Sequence, residues 1–215
     1  IFSMEGSINK EKLRHKLALS AVNRLKCPVA YINQVGSNDE LIFDGSSFVV
    51  NSDSKLELLL SHCKEDIGIW DINKQNKVIK YECNINLKEK LFEALVLGVK
   101  DYGDKCGFHS ALIGLSGGID SALVSVIACA AFGPKKISAL LMPSPWSSTG
   151  SVDDAISLAK RINIQTNILE IEPIMNSFNS SILSSLDCKL ESTSAENLQS
   201  RIRGTLLMAI ANQQG

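Results

Sequence analysis

The chain has 215 residues, 45% hydrophobic and 21% charged, the proportions of a folded globular protein rather than a disordered or fibrous one. Its 22 basic and 23 acidic residues leave a net charge of −1, which argues against a surface built for nucleic acid or for an anionic membrane. No apolar run reaches the length of a membrane span, and Ile1-Phe2-Ser3 opens no signal peptide. The six cysteines, Cys27, Cys63, Cys83, Cys106, Cys129 and Cys188, form neither C-x-x-C nor a Cys/His metal spacing, so free thiols in a reducing cytoplasm are expected.

In chain order, Glu11 to Arg24 carries Leu13, Leu17, Ala18 and Ala21 at helical spacing, and Pro28 ends the helix. Val29 to Val35 is a strand candidate, with a turn at Gly36-Ser37-Asn38. Leu41-Ile42-Phe43 is a second strand, Asp44-Gly45 a hairpin signal and Ser47 to Val50 the returning strand, together a small antiparallel meander. Asn51 to Asn86 has mixed charge and weak periodicity; it reads as a linker with strand character at Gly68-Ile69-Trp70 and Val78 to Tyr81. His62, standing alone, reads as an ordinary surface or core histidine. Leu87 to Tyr102 is an amphipathic helix with Leu87, Leu91, Leu95 and Val99 on one face, ended by Gly103.

The densest signal is Ala111 to Phe132. Ala111 to Leu115 is an apolar run suited to a strand buried on both faces. Ser116-Gly117-Gly118 permits a tight turn and close approach of backbone N–H groups to a ligand. Asp120-Ser121 opens an apolar helix, Ala122 to Phe132, which stops at Gly133-Pro134. Strand, glycine turn and helix together aim free N–H groups and a positive dipole end at an anion. Neither G-x-x-x-x-G-K-[ST] nor G-x-G-x-x-G is present. Instead Ser116, Ser121 and the glycine amides offer donors to phosphate without adding charge, and Asp120 is placed to hold Mg²⁺. The same residues also make a plain turn and helix cap, and a first-turn Asp gains about 0.3–1 kcal/mol from the dipole with no ligand. The complete six-residue signature behind a buried-type strand favours nucleotide binding.

Ile137 to Met142 is a second buried-type strand, so strand, helix, strand predicts a βαβ unit and a parallel sheet. The loop Pro143 to Ser151 can then face the glycine turn across the strand-end crevice, or be an ordinary Ser/Pro connection. A helix from Val152 to Ile162, a strand from Thr166 to Ile171, a helix from Ile174 to Leu186 and a polar break from Asp187 to Thr193 follow. The last helix has Leu198, Ile202, Leu206 and Ala209 as its buried stripe. Asn197 and Arg201, four apart, share a different face, and Arg203 lies about 200° around from Arg201. Such arginines are usually solvated; beside a nucleotide loop, Asn197 with Arg201 suits a second anionic substrate. A start without Met, and an end at Gly215 where an α/β fold calls for another strand, predict a piece of a longer protein.

Three segments carry resemblances. Ser116-Gly117-Gly118-Ile119-Asp120-Ser121 resembles the pyrophosphate loop of the ATP-pyrophosphatase enzymes. Pro28 to Gly36, Asp39 to Gly45 and Ser47-Phe48-Val49 resemble the tail of a carbon–nitrogen hydrolase (nitrilase-like) domain. With Glu196 to Gly204 (ENLQSRIRG), Met142-Pro143-Ser144 and Ser147-Ser148, the chain resembles the glutamine-dependent NAD⁺ synthetases. The resemblance implies an α/β fold: a doubly wound parallel sheet with a pyrophosphate loop, adenine-nucleotide hydrolase-like, over residues 85–215. Over residues 1–84 it implies the end of a nitrilase-like α/β sandwich and a linker.

The implied reaction is ATP-dependent amidation of deamido-NAD⁺ to NAD⁺ through an adenylate, releasing AMP and pyrophosphate, with ammonia drawn from glutamine. The resemblance assigns ATP binding to Gly114, Leu115, Ser116, Gly117, Gly118, Ile119, Asp120 and Ser121, Mg²⁺ to Asp120, and deamido-NAD⁺ binding to Asn197, Arg201 and Arg203. It places the glutaminase Glu, Lys and Cys before Ile1, so no catalytic residue is assigned within this chain; Cys27, next to Pro28, reads as structural. It places a T-G-N-K-S-E segment with a further metal ligand after Gly215. A cytoplasmic homo-oligomer with no nucleic-acid or membrane partner is expected. The alternatives are another pyrophosphate-loop amidotransferase, of the GMP or asparagine synthetase type, and a non-catalytic nucleotide-binding module.

Overall fold

The computed structural model describes residues 4–73, 86–188 and 193–214. The chain forms two compact units, Ile1–Tyr102 and Gly103–Gly215.

The first unit opens with helix α1 (Met4–Leu25) and continues through five short strands: β1 (Val29–Tyr31), β2 (Val35–Asn38), β3 (Leu41–Asp44), β4 (Phe48–Val50) and β5 (Leu56–Leu59). An antiparallel sheet runs in the order β1-β4-β5, with Ala30 opposite Val49 and Phe48 opposite Leu59. Its centre, Phe48-Val49-Val50, is buried throughout, and Phe48 and Val50 pack with Ala18 and Val22 of α1. The His15 ring stacks on Phe48 at a centroid distance of 4.1 Å.

The meander is wired differently from the sequence expectation. The hairpin is β2–β3, which turns at Asp39-Glu40, where Asp39 takes φ 51°. Asp44-Gly45 is not a hairpin: β4 leaves β3 and pairs with β1. The expected strand Val29 to Val35 is interrupted, because the Asn33 side chain turns inward to donate to Asp44 Oδ1 (2.8 Å) and to the Gly45 carbonyl (2.9 Å). The stretch read as linker contributes β5, while Gly68-Ile69-Trp70 forms no strand. The strand expected at Val78 to Tyr81 lies outside the described residues. His62 is structural, its Nδ1 3.1 Å from Ser46 Oγ and its Nε2 3.3 Å from the Lys90 carbonyl oxygen.

Helix α2 (Leu87–Cys106) carries the division between the units within it. Gly103 does not end this helix; it is buried inside it, against the Phe132 ring, and Gly107 at φ 73° follows the true end.

The second unit alternates β6 (Ala111–Gly114), α3 (Ile119–Phe132), β7 (Ile137–Leu141), α4 (Thr149–Ile162), β8 (Gln165–Ile168), α5 (Glu172–Leu186) and α6 (Thr193–Gln214). The three strands pair in parallel, in the order β6-β7-β8. Strand alternation divides the core. Ile137, Ala139 and Leu141 face α3 and α4 through Ala128, Ala155 and Ala159. Leu140 and Met142 face α5 and α6 through Met175 and Ile202. With helices on both faces the sheet is doubly wound. On α6 the buried stripe is Leu198, Ile202, Leu206, Leu207 and Ile210; Ala209, expected in it, is exposed. Among the described residues no helix is long and apolar enough to cross a membrane.

Candidate active site

β6 ends at Gly114, and its ladder runs one residue further, Leu115 N–H donating to the Leu140 carbonyl at 3.0 Å. The chain then turns through Gly117 at φ 82°. A Cβ at this position would lie 2.1 Å from the Ser151 carbonyl oxygen, so both conformation and space require glycine. The turn is thereby pressed against the first turn of α4, which Ser148 caps by accepting from Ser151 N–H at 3.2 Å. The expectation that the loop after β7 faces the glycine turn is met in this contact.

Helix α3 starts at Ile119 behind Gly118, which has no side chain to cap it. Its first-turn N–H groups therefore lack a side-chain acceptor, the condition under which a helix start receives an anion. The hydroxyls of the turn are closed on one another. Ser121 Oγ lies 3.0 Å from Ser116 Oγ, accepts from Ser116 N–H at 3.2 Å and donates to the Gly118 carbonyl at 3.0 Å. Asp120 is exposed in the same first turn.

Beside the turn is a cavity of about 290 Å³ at the carboxyl ends of β6 and β7. Of the eight residues expected to bind ATP, Gly114, Leu115 and Ser116 line it, whereas Gly117 to Ser121 do not. Its walls also include Met142, Pro143, Val152 and Leu207, which the sequence reading gave no ligand role. The Met-Pro-Ser word marked this loop, but no local pattern says that an apolar side chain lines a cavity instead of filling a core.

Arg203 is the charged residue of that lining. It is half-buried, and its Nε–H donates to the Met142 carbonyl oxygen at 3.1 Å. Desolvation pushes its pKa below the usual arginine range. Asn197 and Arg201 are exposed elsewhere on α6 and do not line the cavity, so the three residues grouped by the sequence divide into a pair and a single.

Asp120 presents one accessible carboxylate beside the glycine turn, a donor that would suit a hard divalent cation. Among the described residues no group of three or more His, Cys, Asp or Glu side chains forms a self-sufficient cage. Cys63 is buried, and desolvation, reinforced by Asp44 and Glu93, pushes its thiol up to about 12. Cys27 is exposed in the connection before β1, and Cys83 lies outside the described residues.

A parallel sheet with helices on both faces, and a helix start and cavity at its strand ends, define an α/β protein of the doubly wound class. The family model described as NAD synthase matches residues 91–215. The chain is 43% identical over 213 residues to a glutamine-dependent NAD(+) synthetase of Synechocystis sp., an alignment taking in 97% of this chain and 38% of that protein. It is 36% identical to the solved glutamine-dependent NAD⁺ synthetase of Acinetobacter baumannii in complex with ADP, with a TM-score of 0.89 over 96% of this chain and 40% of that one. The NH3-dependent NAD synthetase of Campylobacter jejuni, 30% identical, matches with a TM-score of 0.52 over 58% of this chain and 52% of its own. The chain belongs to the NAD synthase family. It spans 38% and 40% of the lengths of the two glutamine-dependent relatives.

Proposed function

We propose that this chain supplies the ATP cradle of a glutamine-dependent NAD⁺ synthetase. The carrying observation is the α3 start: N–H donors with no side-chain cap, pressed into place by Gly117 against α4, beside a cavity with room for a nucleoside. The nicotinate carboxylate of deamido-NAD⁺ attacks the α-phosphorus of ATP, and the bond to pyrophosphate breaks. The turn amides and the helix start stabilise the charge that grows on the departing group. Ammonia then attacks the acyl carbon of the adenylate and AMP leaves, giving the amide. Asp120 would hold a Mg²⁺ ion, which would supply charge neutralisation to the phosphates. Exposed and side by side, Asn197 and Arg201 grip the anionic second substrate.

The first unit supports glutamine as the ammonia source. The two relatives named glutamine-dependent match 96% or 97% of the chain, whereas the NH3-dependent one matches 58%. On this reading the first unit is the end of a carbon–nitrogen hydrolase domain.

The test is ATP–pyrophosphate exchange by the whole synthetase carrying these residues. Exchange should require deamido-NAD⁺, and Asp120→Asn should fold normally yet lose it. Undiminished exchange in the variant removes the metal role of Asp120. Exchange driven by xanthylate or aspartate instead reassigns the protein to the GMP or asparagine synthetase type. Failure to bind Mg·ATP at all leaves a non-catalytic module.

A further inference from the structure

Arg203 stands out because it is a half-buried cation without a counter-ion. Among the described residues no carboxylate pairs with it. Among the described residues its one hydrogen bond, Nε–H to the Met142 carbonyl oxygen at 3.1 Å, uses a single donor of the guanidinium fork. A charge held in a partly desolvated wall without a partner is costly, and the arrangement is retained where an anion arrives to pair with it.

The place of the anion follows from the rest of the lining. Leu115, Met142, Pro143, Val152 and Leu207 make walls suited to an uncharged ring system, while Ser116 of the same cavity opens the glycine turn. A nucleotide with its base among these apolar walls and its phosphates at the turn would share the cavity with the Arg203 guanidinium. The Met142 bond matters for this task. It fixes the fork at the end of β7, so both Nη groups are presented without the entropy of a free arginine, the geometry that suits bidentate phosphate contact.

We propose that Arg203 is the cationic partner of the nucleotide's α-phosphate, working opposite the glycine turn, and that it serves ATP and not deamido-NAD⁺. The proposal rests on the ATP-cradle reading above. Because the α-phosphorus is the reacting atom, an anchored cation there both seats ATP and balances the charge left on AMP.

The experiment uses the whole synthetase and measures binding, without turnover, of adenosine, AMP and ATP to the unmodified protein, Arg203→Ala and Arg203→Lys. Arg203→Ala should lose roughly 10- to 100-fold in affinity for AMP and ATP, the range expected for a charge-assisted bidentate contact, with adenosine binding unchanged. Arg203→Lys should fall between, since it restores the charge but not the fork. The dissociation constant for deamido-NAD⁺, measured in the same way, should stay within about twofold. Equal weakening of adenosine and AMP would make Arg203 a wall of the base cavity, and an effect on deamido-NAD⁺ alone would return it to the second substrate; either overturns the proposal. If the unmodified protein binds none of the three nucleotides, the ATP-cradle reading falls first and this assignment with it.

Discussion

Gly117 shows how much one residue decides. Its φ of 82° alone would penalise an L-residue by about 1–2 kcal/mol. The larger obstacle is the Ser151 carbonyl oxygen, 2.1 Å from where a Cβ would stand, which is backbone of a capped helix turn and cannot swing aside as a side-chain end would. Gly117→Ala should therefore push the turn off α4 and carry the α3 start with it. The expected outcome is a folded synthetase whose affinity for Mg·ATP, measured calorimetrically, falls by more than about tenfold. Retained affinity would mean that the turn's seat on α4 does not shape the cradle. The sequence already carried the turn and the helix start behind it, because one six-residue signature contains both. It could not carry Arg203. Helical spacing gives the angle between Arg201 and Arg203 but no absolute direction, and only the packing of Ile202 and Leu207 beneath Met142 decides which arginine enters the cavity.

At the scale of elements, what was legible followed period and length. The buried strands β6 and β7 and the helix α3 between them were readable because their apolar runs are bounded by glycine and proline. What failed was pairing and punctuation. Asp44-Gly45 has the local chemistry of a hairpin turn, yet Asn33 takes the Asp44 carboxylate and the Gly45 carbonyl, and the chain passes on to pair with β1. Gly103 reads as a helix stop because glycine is the commonest one. In the structure it is a space left for a ring: a Cβ there would lie 2.6 Å from Phe132 Cε1 and Cζ. Alanine would gain up to about 1 kcal/mol in intrinsic helix propensity at this position. Displacing the ring should outweigh that gain, since overpacking costs about 1–3 kcal/mol. Gly103→Ala is expected to destabilise the second unit in denaturant titration, and Phe132→Leu in the same chain should recover part of the loss. Additive effects of the two changes would show that helix and ring are not in competition.

For the molecule as a whole, the division into two units predicts two separable responses to pH. His15 lies in the first unit, its ring against Phe48, and desolvation pushes its pKa below 6.5, a shift that Glu11 partly opposes. In the unfolded chain the imidazole regains its ordinary value, so below pH 6.5 the unfolded state binds more protons than the folded one. The stability that His15 confers is thus fully present above that pH and drains away as pH falls toward the lowered value in the folded protein. Among the described residues of the second unit, the groups that burial shifts are Cys129, pushed up, and Arg203, which stays charged; neither titrates between pH 5 and 7. Amide exchange separates the two units residue by residue. Protection at Val22 and Val50 should decline between pH 7.5 and 5.5, while protection at Ile137 and Leu141, corrected for intrinsic exchange, holds. His15→Phe keeps a ring on Phe48 and removes the proton site, so it should flatten the response of the first unit. If that unit still loses protection with the same pH profile, another group carries the dependence. If both units decline together, they unfold as one body and the division marks geometry without energetic independence.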